Sequence, residues 1–334
     1  SAEAQRHLLM ATGTSLGGRM GMWLRTLLAG AAQPTAPVPI QAAMEAARWP
    51  ACATRFQYDG ACCTDVGLVR DNNEDAVHLA LGDAGHPWLA VLADGMGGHA
   101  CGEVASALAV ATVADGCAAA RMGSARYGAG GNGIGSADLE ALGDLLVQTN
   151  LAVWRHAQEH AETTGMGTTL CVVLLAHGYA LWAWIGDSRI GLLRNGVLLP
   201  LTHDDTVVNC MVEQGTLTPE EAAGHPQASV LAQALGTHET LERLNVCPEP
   251  LALQAGDRLV MTSDGVHDVL SPLDIAAVLA QAATAHGAVR ELVEAGKRAG
   301  SADNLSAVVV DVCQARRPAV TRDNVKALAP RETP

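Results

Sequence analysis

Apolar runs in this chain repeatedly end in an aspartate followed by a small or polar residue. WLAVLA leads into Asp94-Gly95, LWAWIG into Asp187-Ser188 and RLVMTS into Asp264-Gly265, while Asp303-Asn304 immediately precedes LSAVVVDV. If the runs are neighbouring strands, carboxylates at their matching ends converge in one acidic pocket, where they repel each other strongly unless a cation lies between them. Mg²⁺ and Mn²⁺ suit that place, because they take oxygen ligands and complete an octahedral shell with water. Glycine at 95 allows close approach of the main chain, so that its carbonyl can join the shell. Any one of these aspartates alone is as readily a turn starter. The four together point to metal chemistry.

The elements that must position these residues are legible from hydropathy. Strand-like runs cover Trp88 to Ala93, Thr168 to Ala176, Leu181 to Ile185, Ile190 to Arg194, Arg258 to Thr262 and Leu305 to Val312. Ala-rich helical runs cover Cys101 to Ala120, Ala137 to His160, Pro272 to Thr284 and Val289 to Ala299. Strands separated by helix pairs, without a steady βαβ rhythm, predict an α+β sheet sandwich with outer helices. Residues 1–52, rich in Ala, Gly and Pro, read as an extension outside the core, residues 53–315 as the main domain, and residues 316–334 as a tail.

Composition narrows the class of substrate. A net charge of −14 leaves no basic stripe for nucleic acid or an anionic membrane, so a phosphate-bearing substrate would need help from cations. The nine cysteines are an odd number with no CxxC spacing, which offers neither a disulfide framework nor a zinc or redox motif and fits a reducing cytoplasm. The apolar segment Met20 to Ala31 is interrupted by Arg25 and is too short to cross a bilayer, so no membrane span is expected.

Three further patterns carry little. His156, Glu159 and His160 fit H-x-x-E-H, but polar flanks make them a solvated helix end rather than a zinc site. Gly128 to Gly133 satisfies GxGxxG without a preceding strand, as a flexible loop would. Cys63 precedes Arg70 by seven residues, one too many for a C-x5-R phosphate loop, and the segment reads as strand and turn.

Seven stretches then occur in an order shared by one family: TDVGLVRDNNEDA, VLADGMGGHACGEVAS, GMGTTL, WIGDSRIGLLRNG, LTHDDTVVNCMVEQGTLTPEEAAGHPQASVLAQALG, VMTSDGVHDVLS and ADNLSAVVVDV. From about Ala53 to Cys313 the chain resembles the type 2C (PPM) metal-dependent protein Ser/Thr phosphatases, most closely their compact prokaryotic branch. The resemblance implies a pair of packed antiparallel sheets flanked by helices, with two or three Mn²⁺ or Mg²⁺ ions at one end. It implies that Asp94 bridges two metals, that the Gly95 carbonyl binds one of them, and that Asp264 and Asp303 complete the other. It further assigns Glu74 and Asp75 to metal-bound waters, Asp187 and Asp268 to a weaker third metal, and Arg70 to the phosphate, for which its planar fork is suited.

The mechanism implied is attack by a hydroxide shared between two ions about 4 Å apart, without a phosphoenzyme. Met96 stands where some relatives carry a histidine proposed to protonate the leaving alkoxide, and His99 is only a weak substitute, so that acid is unassigned. Residues 203–236 match a flap beside the metals, in which Thr218 caps a helix with Pro219 in its first turn; a helical hairpin packed on the sheet is the plainer alternative. Phosphorylated proteins, with a bacterial-type Ser/Thr kinase as the opposing partner, are the implied substrates of a cytoplasmic enzyme expected to be a monomer. The competing expectation is a catalytically silent phosphoprotein-binding scaffold of the same fold. Retention of every metal-bearing aspartate and of Arg70 argues against it.

Overall fold

The strand-like runs lack a polar face, so each needs cover on both sides, and the computed structural model shows what supplies it. It describes residues 48–50, 56–80, 82, 88–97, 101–120, 133–222 and 224–314. The segment Met20 to Ala31, His99, the tail from Arg316 and all but the last residue of Gly128 to Gly133 lie outside these.

In chain order the strands are β1 (Arg48–Pro50), β2 (Phe56–Asp65), β3 (Asp75–Ala80), β4 (Trp88–Met96), β5 (Gly133–Gly135), β6 (Gly167–Thr168), β7 (Leu170–Ala176), β8 (Tyr179–Ile185), β9 (Arg189–Arg194), β10 (Val197–Pro200), β11 (Asn245–Val246), β12 (Leu251–Ala252), β13 (Arg258–Thr262) and β14 (Leu305–Gln314). The helices are α1 (Gly102–Ala120), α2 (Ser136–Glu159), α3 (Val207–Glu213), α4 (Pro219–Ala222), α5 (Asp264–His267), α6 (Pro272–Gln281) and α7 (Ala285–Arg298). One sheet has the order β10-β9-β13-β14-β2 and the other β11-β8-β7-β4-β3, with β12 also on β8 and β6 on β4. Neighbouring strands within both sheets are antiparallel. The expected α-β-β-α sandwich is what forms.

Side-chain alternation assigns each strand to two cores at once. Along β14, Val308, Val310 and Val312 enter the core between the sheets, while Leu305, Ala307 and Val309 meet α6 and α7 on the outside through Ile275, Leu279, Val289, Leu292 and Val293. On the opposite flank α1 and α2 cover the second sheet with Ala105, Ala109, Val113, Leu142, Leu146 and Val153. The window Gly102–Ala119 within α1 has mean hydropathy 1.2, enough to cross a membrane by length and composition. Here it lies against β4 and α2 as a core helix.

Some element boundaries differ from expectation for local reasons. The run Thr168 to Ala176 breaks at Thr169, whose amide donates to the Asp94 carbonyl at 2.8 Å while Thr168 pairs with Leu235. The helix from Pro272 stops at Gln281, after a capping box at its start in which Ser271 and Asp274 satisfy each other's amides. Thr284 then caps a new helix by accepting from the Gly287 amide, four residues ahead of the predicted start. The segment 203–236 is a helical excursion. Thr206 caps α3, and Thr218 and Glu221 form a reciprocal cap on α4, none of whose residues is buried. Its ends are tied down: Val207 donates to the Val230 carbonyl, and Ala232 to that of Asp205.

Candidate metal centre

The acidic residues come from both sheets and meet at one end of the sandwich. Asp75 opens β3 directly opposite Asp94 on β4, a cross-strand pairing that puts two carboxyl-bearing Cβ atoms about 5 Å apart. Asp94 lies inside its strand rather than at its end, because β4 continues to Met96 by pairing with β6. From the facing sheet, Asp264 is the first residue of α5, directly after the end of β13, and Asp303 sits two residues before β14. Asp187 lies in the β8–β9 turn, and Asp268 closes α5.

Hydrogen bonds hold this cluster rigidly. The Asp94 amide donates to Thr169 Oγ1 at 2.9 Å, and Thr168 Oγ1 donates to the Asp94 carbonyl at 2.9 Å. Thr169 Oγ1 in turn pairs with Ser188 Oγ at 2.8 Å, next to Asp187. Ser263 Oγ crosses between the sheets to donate to Asp75 Oδ2 at 2.9 Å, while accepting from the Ser306 amide. Gly95 is required for packing: a Cβ there would lie 2.1 Å from the Gly102 carbonyl oxygen and 2.5 Å from that of Glu74. The close approach foreseen for a ligand is thus made by the start of α1 and by Glu74, whose carbonyl accepts from the Gly95 amide at 3.1 Å.

Charge accumulation is visible in the proton affinities. Burial, followed by the carboxylates of Asp75, Asp264 and Asp187, pushes Asp94 well above the usual carboxylate range. Burial likewise raises Asp75 to about 6 and, with Asp264 and Asp204 adding to it, Asp187 to about 7. Asp264 and Asp268 are raised by burial first, and Glu74 by burial and then by Glu103. Such mutual strain is relieved by a cation. Among the described residues no three His, Cys, Asp or Glu side chains close on one point as a finished cage. Asp303 faces Arg70 instead, whose Nη2 donates to Asp303 Oδ2 at 2.6 Å. The donor set is all oxygen, acidic and partly buried, which fits a hard divalent ion.

Several structural contributors carry no motif of their own. Asn304 is 4% exposed and uses its amide fully: Nδ2 donates to the carbonyls of Val66 and Asn72, both at 2.9 Å, and Oδ1 accepts from the Glu74 amide at 2.8 Å. It thereby fixes the loop bearing Arg70. Its adjacency to Asp303 was the only signal in the sequence. Arg189 makes a bidentate pair with Asp204 at 2.9 and 2.7 Å, bringing the root of the 203–236 segment against Asp187 and Asp268. His156 and His160 stack at 4.1 Å, with His160 Nδ1 on the His156 carbonyl oxygen, as a helix end rather than a metal site.

An α-β-β-α sandwich with carboxylates from both sheets and an arginine gathered at one end is the class of protein defined here. Residues 68–308 match the family Protein phosphatase 2C, and the chain belongs to that family. It is 41% identical over 259 residues to the serine/threonine protein phosphatase PstP of Mycobacterium tuberculosis, covering 75% of this chain and 44% of that protein, so it spans less than half the length of that relative. It is 33% identical over 251 residues to the protein phosphatase PhpP of Streptococcus pneumoniae, covering 75% of this chain and 95% of that one. The catalytic domain of the serine/threonine protein phosphatase PstP in complex with two manganese ions superposes with a TM-score of 0.61 at 36% identity, over 78% of this chain and all of that one.

Proposed function

We propose that this chain hydrolyses phosphoserine and phosphothreonine monoesters in proteins, using Mn²⁺ or Mg²⁺ held at Asp94, the Gly95 carbonyl, Asp264 and Asp303. The observation that carries it is the meeting of acidic residues from both sheets, Asp75 opposite Asp94 on one and Asp264 and Asp303 on the other, tied together by Ser263 Oγ on Asp75 and with Arg70 on Asp303. The manganese-bound PstP domain and the named phosphatase relatives support it.

When bound, the ions supply Lewis acidity and lower the pKa of coordinated water. The chain's own residues do the rest. Asp94, the Gly95 carbonyl, Asp264 and Asp303 would hold the ions, and Glu74 and Asp75 would orient water, with Asp75 aligned by Ser263. The guanidinium of Arg70 would bind phosphate oxygens in two parallel hydrogen bonds and stabilise the charge they keep through a loose transition state. Asp187 and Asp268, faced by Arg189, form the weaker third position. A phosphorylated protein, including the activating loop of an opposing Ser/Thr kinase, is the proposed substrate of a cytoplasmic monomer.

The test is hydrolysis of a phosphothreonine peptide and of p-nitrophenyl phosphate with Mn²⁺, with and without chelator. Chelator should abolish turnover, and Asp94→Asn should lower kcat at least about 100-fold. Turnover that survives either change overturns the two-metal site, and no turnover with any divalent ion favours the silent scaffold.

A further inference from the structure

Six large hydrophobic side chains are exposed among the described residues, and three of them, Val66, Leu68 and Val69, lie in the turn that runs directly into Arg70. Leu68 and Val69 are 67% and 66% exposed. Lone exposed apolar residues need no explanation, but this turn is held out by a costly set of anchors. The Asn304 amide grips both ends at Val66 and Asn72. Gly67, at φ +82, is packed so closely that a Cβ would lie 2.3 Å from the Asp303 carbonyl oxygen. Its amide donates to Asp65 Oδ1 at 2.9 Å, and Asp65 is itself paired with Lys297 Nζ at 2.5 Å. Residues 68–72 are left facing solvent as a rigid rim.

From this juxtaposition we infer that Leu68 and Val69 are specificity-determining residues that receive apolar side chains flanking the phosphorylated serine or threonine. The inference rests on the phosphatase reading above and deepens it. A phosphate on Arg70 places the neighbouring substrate residues over the two side chains just before it in the chain. The occupant is apolar, because Leu68 and Val69 offer it no polar side-chain group, and Asp71 and Glu74 of the same loop disfavour acidic flanks. Because the rim is pre-ordered, docking on it loses little conformational freedom, and the gain appears in KM rather than kcat.

Two phosphothreonine peptides, one with leucine and one with serine on both sides of the phosphoresidue, are compared with p-nitrophenyl phosphate, which has no flanks. The leucine peptide should have a KM about 5- to 10-fold lower than the serine peptide. Leu68→Ser with Val69→Ser should erase that difference while leaving p-nitrophenyl phosphate turnover unchanged. Equal KM values for the two peptides in the unsubstituted protein, or equal losses on all three substrates in the variant, overturn the inference. If none of the three is hydrolysed, the proposed function has failed separately. Titration binding of the same peptides then reads the rim directly, with equal affinities overturning it.

Discussion

At the scale of single residues, the acidic end of the sandwich stores electrostatic strain that pH should reveal. Asp187 is raised to about 7, by burial first and then by Asp264 and Asp204. In the unfolded chain it returns to the ordinary value near 3.8. Between these values the folded protein binds a proton that the unfolded chain has released, so stability must fall as pH rises. Thermal unfolding of the metal-free protein in chelator should therefore show a loss of about 1–3 kcal/mol from pH 5 to pH 8. Asp187→Asn should flatten that slope. A metal-free protein whose stability rises over this range would contradict the arrangement. The same cluster explains why Asp303 is found with Arg70: a carboxylate crowded by others takes the nearest guanidinium.

At the scale of elements, the position of the site depends on how the outer helices are fastened to the sheets. Arg258 on β13 makes a bidentate pair with Asp311 on β14, through Nε at 2.5 Å and Nη2 at 2.9 Å. Its Nη1 caps the end of α6 at the carbonyls of Leu279 and Ala282. Arg258 and Asp311 are both largely buried, so removing one leaves the other and two helix-end carbonyls unsatisfied. Arg258→Ala should cost about 2–4 kcal/mol in urea unfolding, whereas an exposed pair such as Arg298 with Glu291 should cost about 0–1 kcal/mol. The 203–236 segment is built differently. Its two short helices carry good caps yet bury little, and it meets the centre through the Arg189–Asp204 pair and through the pairing of Leu235 with Thr168.

At the scale of the whole molecule, the proposed ions would stand between the two sheets, since Asp94 belongs to one and Asp264 and Asp303 to the other. Ligands that bind only the folded state stabilise it by mass action, so Mn²⁺ at 100 times its Kd should add about 2.7 kcal/mol. Calorimetry with Mn²⁺ should show that rise, and Asp264→Asn should abolish it without lowering the metal-free Tm, because that carboxylate contributes repulsion rather than packing. An unchanged Tm on adding Mn²⁺ to the unsubstituted protein would mean that the folded state does not bind the ion.

The sequence by itself determined β4, β7, β8, β9, β13 and β14, the four large helices and the order of the acidic residues along the chain, but only the part of the ten-residue β2 around Cys63 and nothing of β3. Those signals are local: hydrophobic period, a capping residue such as Thr218, and aspartates beside apolar runs. It also carried enough ordered motifs to imply the family and its site. Tertiary structure alone decided what depends on distant partners. The break at Thr169 exists because its amide is taken by Asp94, and Gly95 is glycine because the start of α1 passes over it. Asn304 organises the Arg70 loop through bonds to residues 230 to 238 positions away. Short strands such as β11 and β12 form only because β8 offers an edge to pair with. Which carboxylates are crowded together, and which apolar side chains are left outside beside Arg70, follow from burial and distance. Both are properties of the packed sandwich, since no local stretch of chain can encode how much water its neighbours exclude.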